Sequence, residues 1–259
     1  MRFRPAMLFA LALIFASIGA GWWYQNQGSA AGGIGSKALD AQLASAGISD
    51  KERAAIEALV RTTILEHPEM LPEAMEKLEA RETAARLAPL RSAVETPFPG
   101  SVLGNQAGKL TLVEFTDFAC GYCRSSVADV DALVSANPDL RVVVRHLPII
   151  SPESGPAARM GLAAAAQGKY AAFHKAMFAG DRPSPSSIAA AARSAGLDPA
   201  AADVFDREPG AQLEIDRNLG FARQLGVGGT PAWAIGGAVL TGAVGREKLQ
   251  QAIDAARKG

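Results

Sequence analysis

Metal-binding side chains are scarce in this chain, with two cysteines and three histidines among 259 residues. His67, His146 and His174 do not stand at ligand spacing from one another, so the roughly four ligands of a zinc site are not supplied. Neither sign of charge is in excess. Twenty-six basic and 26 acidic residues give a formal net charge of zero, which removes the electrostatic ground for nucleic acid as a partner. No internal repeat is visible. What the chain does have is apolar content, 49% of its residues, enough for a full core and an accessory segment.

Both cysteines fall in one stretch. Residues Leu110 to Phe118 are dominated by apolar and β-branched side chains without Gly or Pro, which predicts a strand. A turn follows at Ala119-Cys120-Gly121. A helix is expected from Cys123, with Val127, Val130, Leu133 and Val134 on one face. Cys120 then lies just before a helical first turn, where unpaired N–H groups and the helix dipole favour an anion. A thiolate is the nucleophile of disulfide exchange. Cys120 is therefore the expected attacking group, and Cys123, one turn in and more shielded, the resolving one. A structural disulfide is the weaker reading, because a two-residue gap closes a small loop and removes little unfolded-chain entropy. Arg124 could add positive field or simply be solvated. Glu114 stands out in an apolar strand. If both faces are covered it must pair, protonate or do chemistry, and burial would raise its pKa. On an edge strand it would stay in solvent.

The run Glu114-Phe115-x-x-Phe118-x-Cys120-x-x-Cys123, the later Gly228-Gly229-Thr230-Pro231 and the helical stretch between them resemble the DsbA family, over roughly Ser101 to Arg257. The resemblance implies an α/β thioredoxin fold with a helical insertion and periplasmic thiol–disulfide exchange through Cys-Gly-Tyr-Cys, with Gly121 and Tyr122 beside the client. It implies no organic cofactor and no metal. It also implies that Glu114 exchanges a proton with Cys123. X–Pro bonds are cis in only about 5–6% of cases, which by itself favours a trans Pro231. The resemblance reverses this, placing a cis Pro231 opposite the cysteines and leaving the Thr230 main chain free to pair with a client strand.

Residues 1–24 read as a membrane-targeting segment. Arg2 and Arg4 precede an apolar run of about 18 residues and the cluster Trp22-Trp23-Tyr24. An inner-membrane anchor is the favoured reading, and a cleaved signal peptide the other. Either exports the remainder to a compartment where disulfides persist. Residues 25–36 form a Gly-, Ser- and Ala-rich tether. Residues 37–96 form a helical arm. Ser49-Asp50-Lys51-Glu52 has the form of a capping box. Behind it run the stripes Ile56, Leu59, Val60, Ile64 and Met70, Leu71, Met75, Leu78, broken at His67-Pro68. Those stripes must bury against something, either the chain's own thioredoxin-like domain or further copies. The arm resembles the N-terminal segment of the ScsC-like subgroup, which implies a homo-oligomer.

The thioredoxin-like domain is expected over 97–259. A second strand is expected over Leu140 to Ile150, a helical insertion over about 153–221, a hairpin across Gly236-Gly237 and a closing helix over Arg246 to Arg257. His146 and His174 are expected to be structural. The expected partners are exported proteins carrying thiols or disulfides and a membrane redox partner. Oxidase, isomerase and reductase directions stay open, as does a copper-handling thiol pair, since soft thiolates accept Cu(I).

Overall fold

The computed structural model describes residues 41–258, so the anchor or signal expected over 1–24, the tether over 25–36 and the first residues of the arm lie outside the described residues. No described helix is long and apolar enough to cross a membrane. The chain divides into two compact units, Met1–Glu73 and Ala74–Gly259, a division that falls inside the expected arm.

In the first unit, α1 (described over 41–45) is followed by α2 (Asp50–Glu66). The capping box forms. The Glu52 carboxyl accepts from the Ser49 backbone N–H at 2.8 Å while Ser49 Oγ accepts from the Glu52 N–H. The helix stops at His67, as the following proline requires. No residue of α2 is buried, and Ile56, Leu59, Val60 and Ile64 stand exposed along it. The next helix, α3 (Met70–Leu87), begins here and crosses into the second unit.

The second unit is built on five strands, β1 (Val102–Gly104), β2 (Leu110–Thr116), β3 (Leu140–His146), β4 (Ala232–Ile235) and β5 (Ala238–Thr241), in the order β1-β3-β2-β4-β5. Strands β2 and β3 are parallel and joined through α5 (Gly121–Ala136); the other pairs are antiparallel. This puts β2 in the middle, covered on both faces, which accounts for its apolar run. On one face Leu112, Val142, Val144 and Trp233 pack with Val130 and Leu133 of α5 and with Leu249 and Ile253 of α11 (Gly245–Ala256). On the other, Val113, Phe115 and Val143 meet Leu87, Val94 of α4 (Arg91–Glu95), and Phe221 and Leu225 of α10 (Pro209–Leu225).

The helical insertion runs through α6 (Ser154–Ala166), α7 (Tyr170–Ala179), α8 (Pro185–Ser194), α9 (Pro199–Arg207) and into α10. The fold is thus α/β and thioredoxin-like with a helical insertion, preceded by N-terminal helices. Two local expectations are corrected. Strand β2 ends at Thr116 rather than Phe118, and β3 ends at His146 rather than Ile150, because the chain beyond each turns to make the site described below. β1 is an element that the sequence did not announce; at three residues it is too short for alternation to show.

Arg145 fixes α4 and α10 to β3. It is buried, and its guanidinium donates to Glu214 Oε1 at 2.6 Å, to Asn218 Oδ1 at 3.1 Å and to the carbonyls of Ala93 and Val94. It also lies 5.1 Å from the Phe221 ring centroid.

Candidate active site

Helix α5 starts one residue after Cys120, which is its N-cap. Cys120 Sγ accepts from the Cys123 backbone N–H at 3.4 Å, so the sulfur occupies the anion-favouring end of the helix as the spacing predicts. Both cysteines are free thiols. Cys120 is 5% exposed and Cys123 fully buried, in the order expected for attacking and resolving groups. The Thr230–Pro231 peptide is cis, as the resemblance implied and the general frequency did not. Thr230 brings its carbonyl to Cys120 Sγ, which donates to it at 3.2 Å.

Beneath the cysteines is a polar pocket in the sheet. The parallel register places Glu114 beside Val144 and Thr116 beside His146, all on the α5 face of the sheet. Glu114 is buried in a central strand, not solvated at an edge, and burial raises its pKa to about 7, with the Thr116 hydroxyl opposing. Cys123 is pushed up to about 12, chiefly by burial, with the Glu114 charge adding to the rise. Glu114 Oε2, Thr116 Oγ1 and Thr230 Oγ1 are buried without a settled hydrogen-bond partner.

Asp117 was not anticipated. Its carboxyl accepts from the N–H groups of Ala119, Ile149 and Ile150, at 2.8, 2.8 and 2.9 Å. It therefore ties the active-site turn to the loop after β3. An Asp placed directly after a strand and before a turn was the available signal. The rim above is apolar, with Tyr122 exposed and Ile149 and Ile150 half-exposed. Gly121 is exposed, and a side chain there would meet open space. Arg124 neither points its charge at Cys120 nor floats in solvent. It donates to the carbonyls of Phe178, Gly180 and Asp181, closing the end of α7. Both structural histidines are buried and neutral, His146 with its pKa lowered to about 3 and His174 to about 4, mainly by burial.

The DSBA-like thioredoxin domain family matches residues 111–254, more than half of the chain. The chain belongs to the DsbA-like thioredoxin family. Residues 52–85 match the Copper resistance protein ScsC N-terminal domain, so a DsbA-like domain follows a ScsC-type segment. Among solved structures, a thioredoxin-like oxidoreductase of Silicibacter pomeroyi is 40% identical, with TM-score 0.59, covering 61% of this chain and 92% of that one. A periplasmic thioredoxin-like protein of Salmonella enterica serovar Typhimurium is 28% identical, with TM-score 0.60, covering 66% of this chain and 97% of that one. A linker-deletion variant of Proteus mirabilis ScsC is 25% identical, with TM-score 0.63, covering 81% and 97%. The Na(+)/H(+) antiporter NhaA of Herminiimonas arsenicoxydans is 30% identical over 189 residues, 71% of this chain; the chain spans only 30% of that antiporter's length. Family and cysteine pair together give an oxidoreductase of the DsbA-like, thiol–disulfide exchange type.

Proposed function

We propose that this DsbA-like chain catalyses disulfide exchange in exported proteins, with Cys120 as nucleophile, Cys123 as resolving group and Glu114 as proton acceptor. The observation that carries the reading is Cys120 at the α5 N-terminus with the Thr230 carbonyl against its sulfur and Cys123 buried over Glu114. As a thiolate, Cys120 attacks one sulfur of a client disulfide. The Cys120–client bond forms, the client S–S bond breaks, and the departing client sulfur takes a proton. Cys123 then loses its proton to Glu114 and attacks Cys120 Sγ. The Cys120–Cys123 disulfide forms and the client leaves as a dithiol, two electrons richer. Run backwards, the same steps oxidise a client. If a client thiol attacks the mixed disulfide first, the client is isomerised and the enzyme returns unchanged.

Thr230 and Pro231 end one wall of the site, and the Thr230 main chain pairs with an extended client segment. Tyr122, Ile149 and Ile150 offer it an apolar rim. The domain works on the periplasmic side, tethered by residues 1–24 or released after cleavage, and a membrane redox partner resets its cysteines. The exposed α2 stripe assembles several copies, which favours isomerisation because a misfolded client can meet more than one site. The copper named for the family at residues 52–85 supports a second reading, in which the two thiolates hold Cu(I).

Reactivation of scrambled ribonuclease by a fragment from Lys37 onward, compared with the same fragment carrying Ile56→Asp and Ile64→Asp, tests the isomerase direction. Reshuffling by the first and not the second is expected. Failure of both removes isomerisation and leaves oxidation or reduction of dithiols. Copper titration of the reduced fragment, with Cys120→Ser as control, tests the second reading.

A further inference from the structure

The pocket under Cys123 has a second half that the exchange steps above do not use. His146, at the end of β3, shares the sheet face with Glu114 and Thr116. The Tyr170 hydroxyl, from the first residue of α7, lies 3.3 Å from His146 Nε2. Tyr170 is 2% exposed and packs among Leu112, Val142 and Val144, the residues that flank Glu114 along β2 and β3. His146 Nδ1 and Glu114 Oε2 are both buried without a partner. The titratable groups that interact with Glu114 are Cys123 from α5 and Tyr170 from α7, with His146 of β3 and His174 of α7 against Tyr170. From β4 and α11 come apolar Trp233, Leu249 and Ile253.

Resting on the reading of Glu114 as the proton acceptor for Cys123, we propose that Tyr170 is a positioning residue of that proton exchange, its hydroxyl braced by His146 and sharing the buried pocket of Glu114. Burial, and secondarily the Glu114 charge, hold Tyr170 well above its ordinary value, so the phenol keeps its proton and serves only as a neutral dipole. A neutral donor is what a buried carboxylate needs, and the Thr116 hydroxyl is the other one at hand. The Nε2–H tautomer of His146 leaves the Tyr170 O–H free to donate, with the Ser101 hydroxyl and the Glu114 carboxyl as its neighbours. It also leaves Nδ1 bare, in keeping with its lack of a partner. One glycine leaves room for this arrangement. Gly161 on α6 faces His146 so closely that an added Cβ would sit 2.9 Å from Nε2.

The test uses Tyr170→Phe, which removes one oxygen and keeps the ring. The Glu114 carboxyl is titrated in the reduced protein by its carbon-13 shift, and the pH dependence of Cys123 attack is measured alongside. Loss of the hydroxyl disfavours the carboxylate, so both midpoints move up together by about one pH unit. His146→Leu moves them in the same direction, and His146→Gln, whose amide reaches the Nε2 position, restores them. An unmoved Glu114 midpoint in Tyr170→Phe overturns the proposal. If Glu114→Gln leaves the pH dependence of Cys123 attack unchanged, the role of Glu114 as acceptor fails, and the positioning role falls with it; the carbon-13 titration tells this case from the first.

Discussion

The thiol of Cys120 donates to the main-chain carbonyl of Thr230 at 3.2 Å, joining the start of α5 to the residue before Pro231 across 110 positions of sequence. In the proposed exchange this holds the attacking sulfur beside the main chain on which an extended client would lie, with buried Cys123 behind it. Cys120→Ser should abolish exchange altogether. Cys123→Ser should keep the first attack and accumulate a mixed disulfide with a cysteine-containing peptide, seen as an added mass that dithiothreitol removes. An adduct on Cys120→Ser instead would reverse the two roles.

The buried titratable groups shape the stability curve of the reduced protein. His146 and His174 are neutral down to about pH 3 and 4 in the folded state, whereas their unfolded forms take up protons near 6.5. The unfolded chain then binds more protons, so stability falls as pH drops below about 6.5. Glu114 acts in the opposite sense. Its folded pKa of about 7 lies above the ordinary 4.5, so its contribution is complete below 4.5 and is lost as pH rises through 7. Two histidines outweigh one carboxyl between 4.5 and 6.5, so urea midpoints should be highest near pH 6.5. Glu114→Gln should be more stable than the parent at pH 8, by at most about 3 kcal/mol. A parent curve still rising between pH 7 and 8 would contradict this account.

Much of this arrangement is written locally in the sequence. The strand before Cys120, the helix after it and the capping box at Ser49 each depend on neighbours within a few residues, and each appears in the structure. Thr230 and Pro231 were legible only through resemblance, because nothing in Gly-Gly-Thr-Pro says what lies opposite it. Tyr170 and His146 were not legible as a pair, since it is the parallel register of β2 with β3 and the return of α7 that bring them together. Arg145 looks like a surface residue in Val-Arg-His, yet its side chain goes to the face covered by α4 and α10.

Arg145 therefore gives a sharp stability prediction. Arg145→Ala leaves Glu214 with only the exposed Arg217 as ion-pair partner among the described residues and strips hydrogen bonds from the α4 carbonyls. Breaking a buried pair in this way should cost about 3–5 kcal/mol, measured by urea unfolding. The double change Arg145→Met with Glu214→Leu should recover part of the loss, because it removes the second charge as well. Equal stabilities of Arg145→Ala and the parent would show that the pair holds nothing.

The α2 stripe supplies the last prediction. Ile56→Asp with Ile64→Asp places two charges on a helix none of whose residues is buried among the described residues, so the fold should be retained. In sedimentation the parent fragment should run as an oligomer and the variant as a monomer, with reduction of a small-molecule disulfide unchanged. A parent fragment that already sediments as a monomer would end the assembly reading.

Asp117 has a consequence for how such a domain can diversify. One carboxyl gathers amides from the turn bearing Cys120 and from the loop bearing Ile149 and Ile150. The bonds run to main chain, so the rim side chains are free of structural duty. Ile149, Ile150 and Tyr122 can be exchanged for other shapes while the sulfur stays where it is. On the proposed function, choice of client and redox chemistry would then be separately adjustable quantities in this scaffold, with Asp117 keeping them apart.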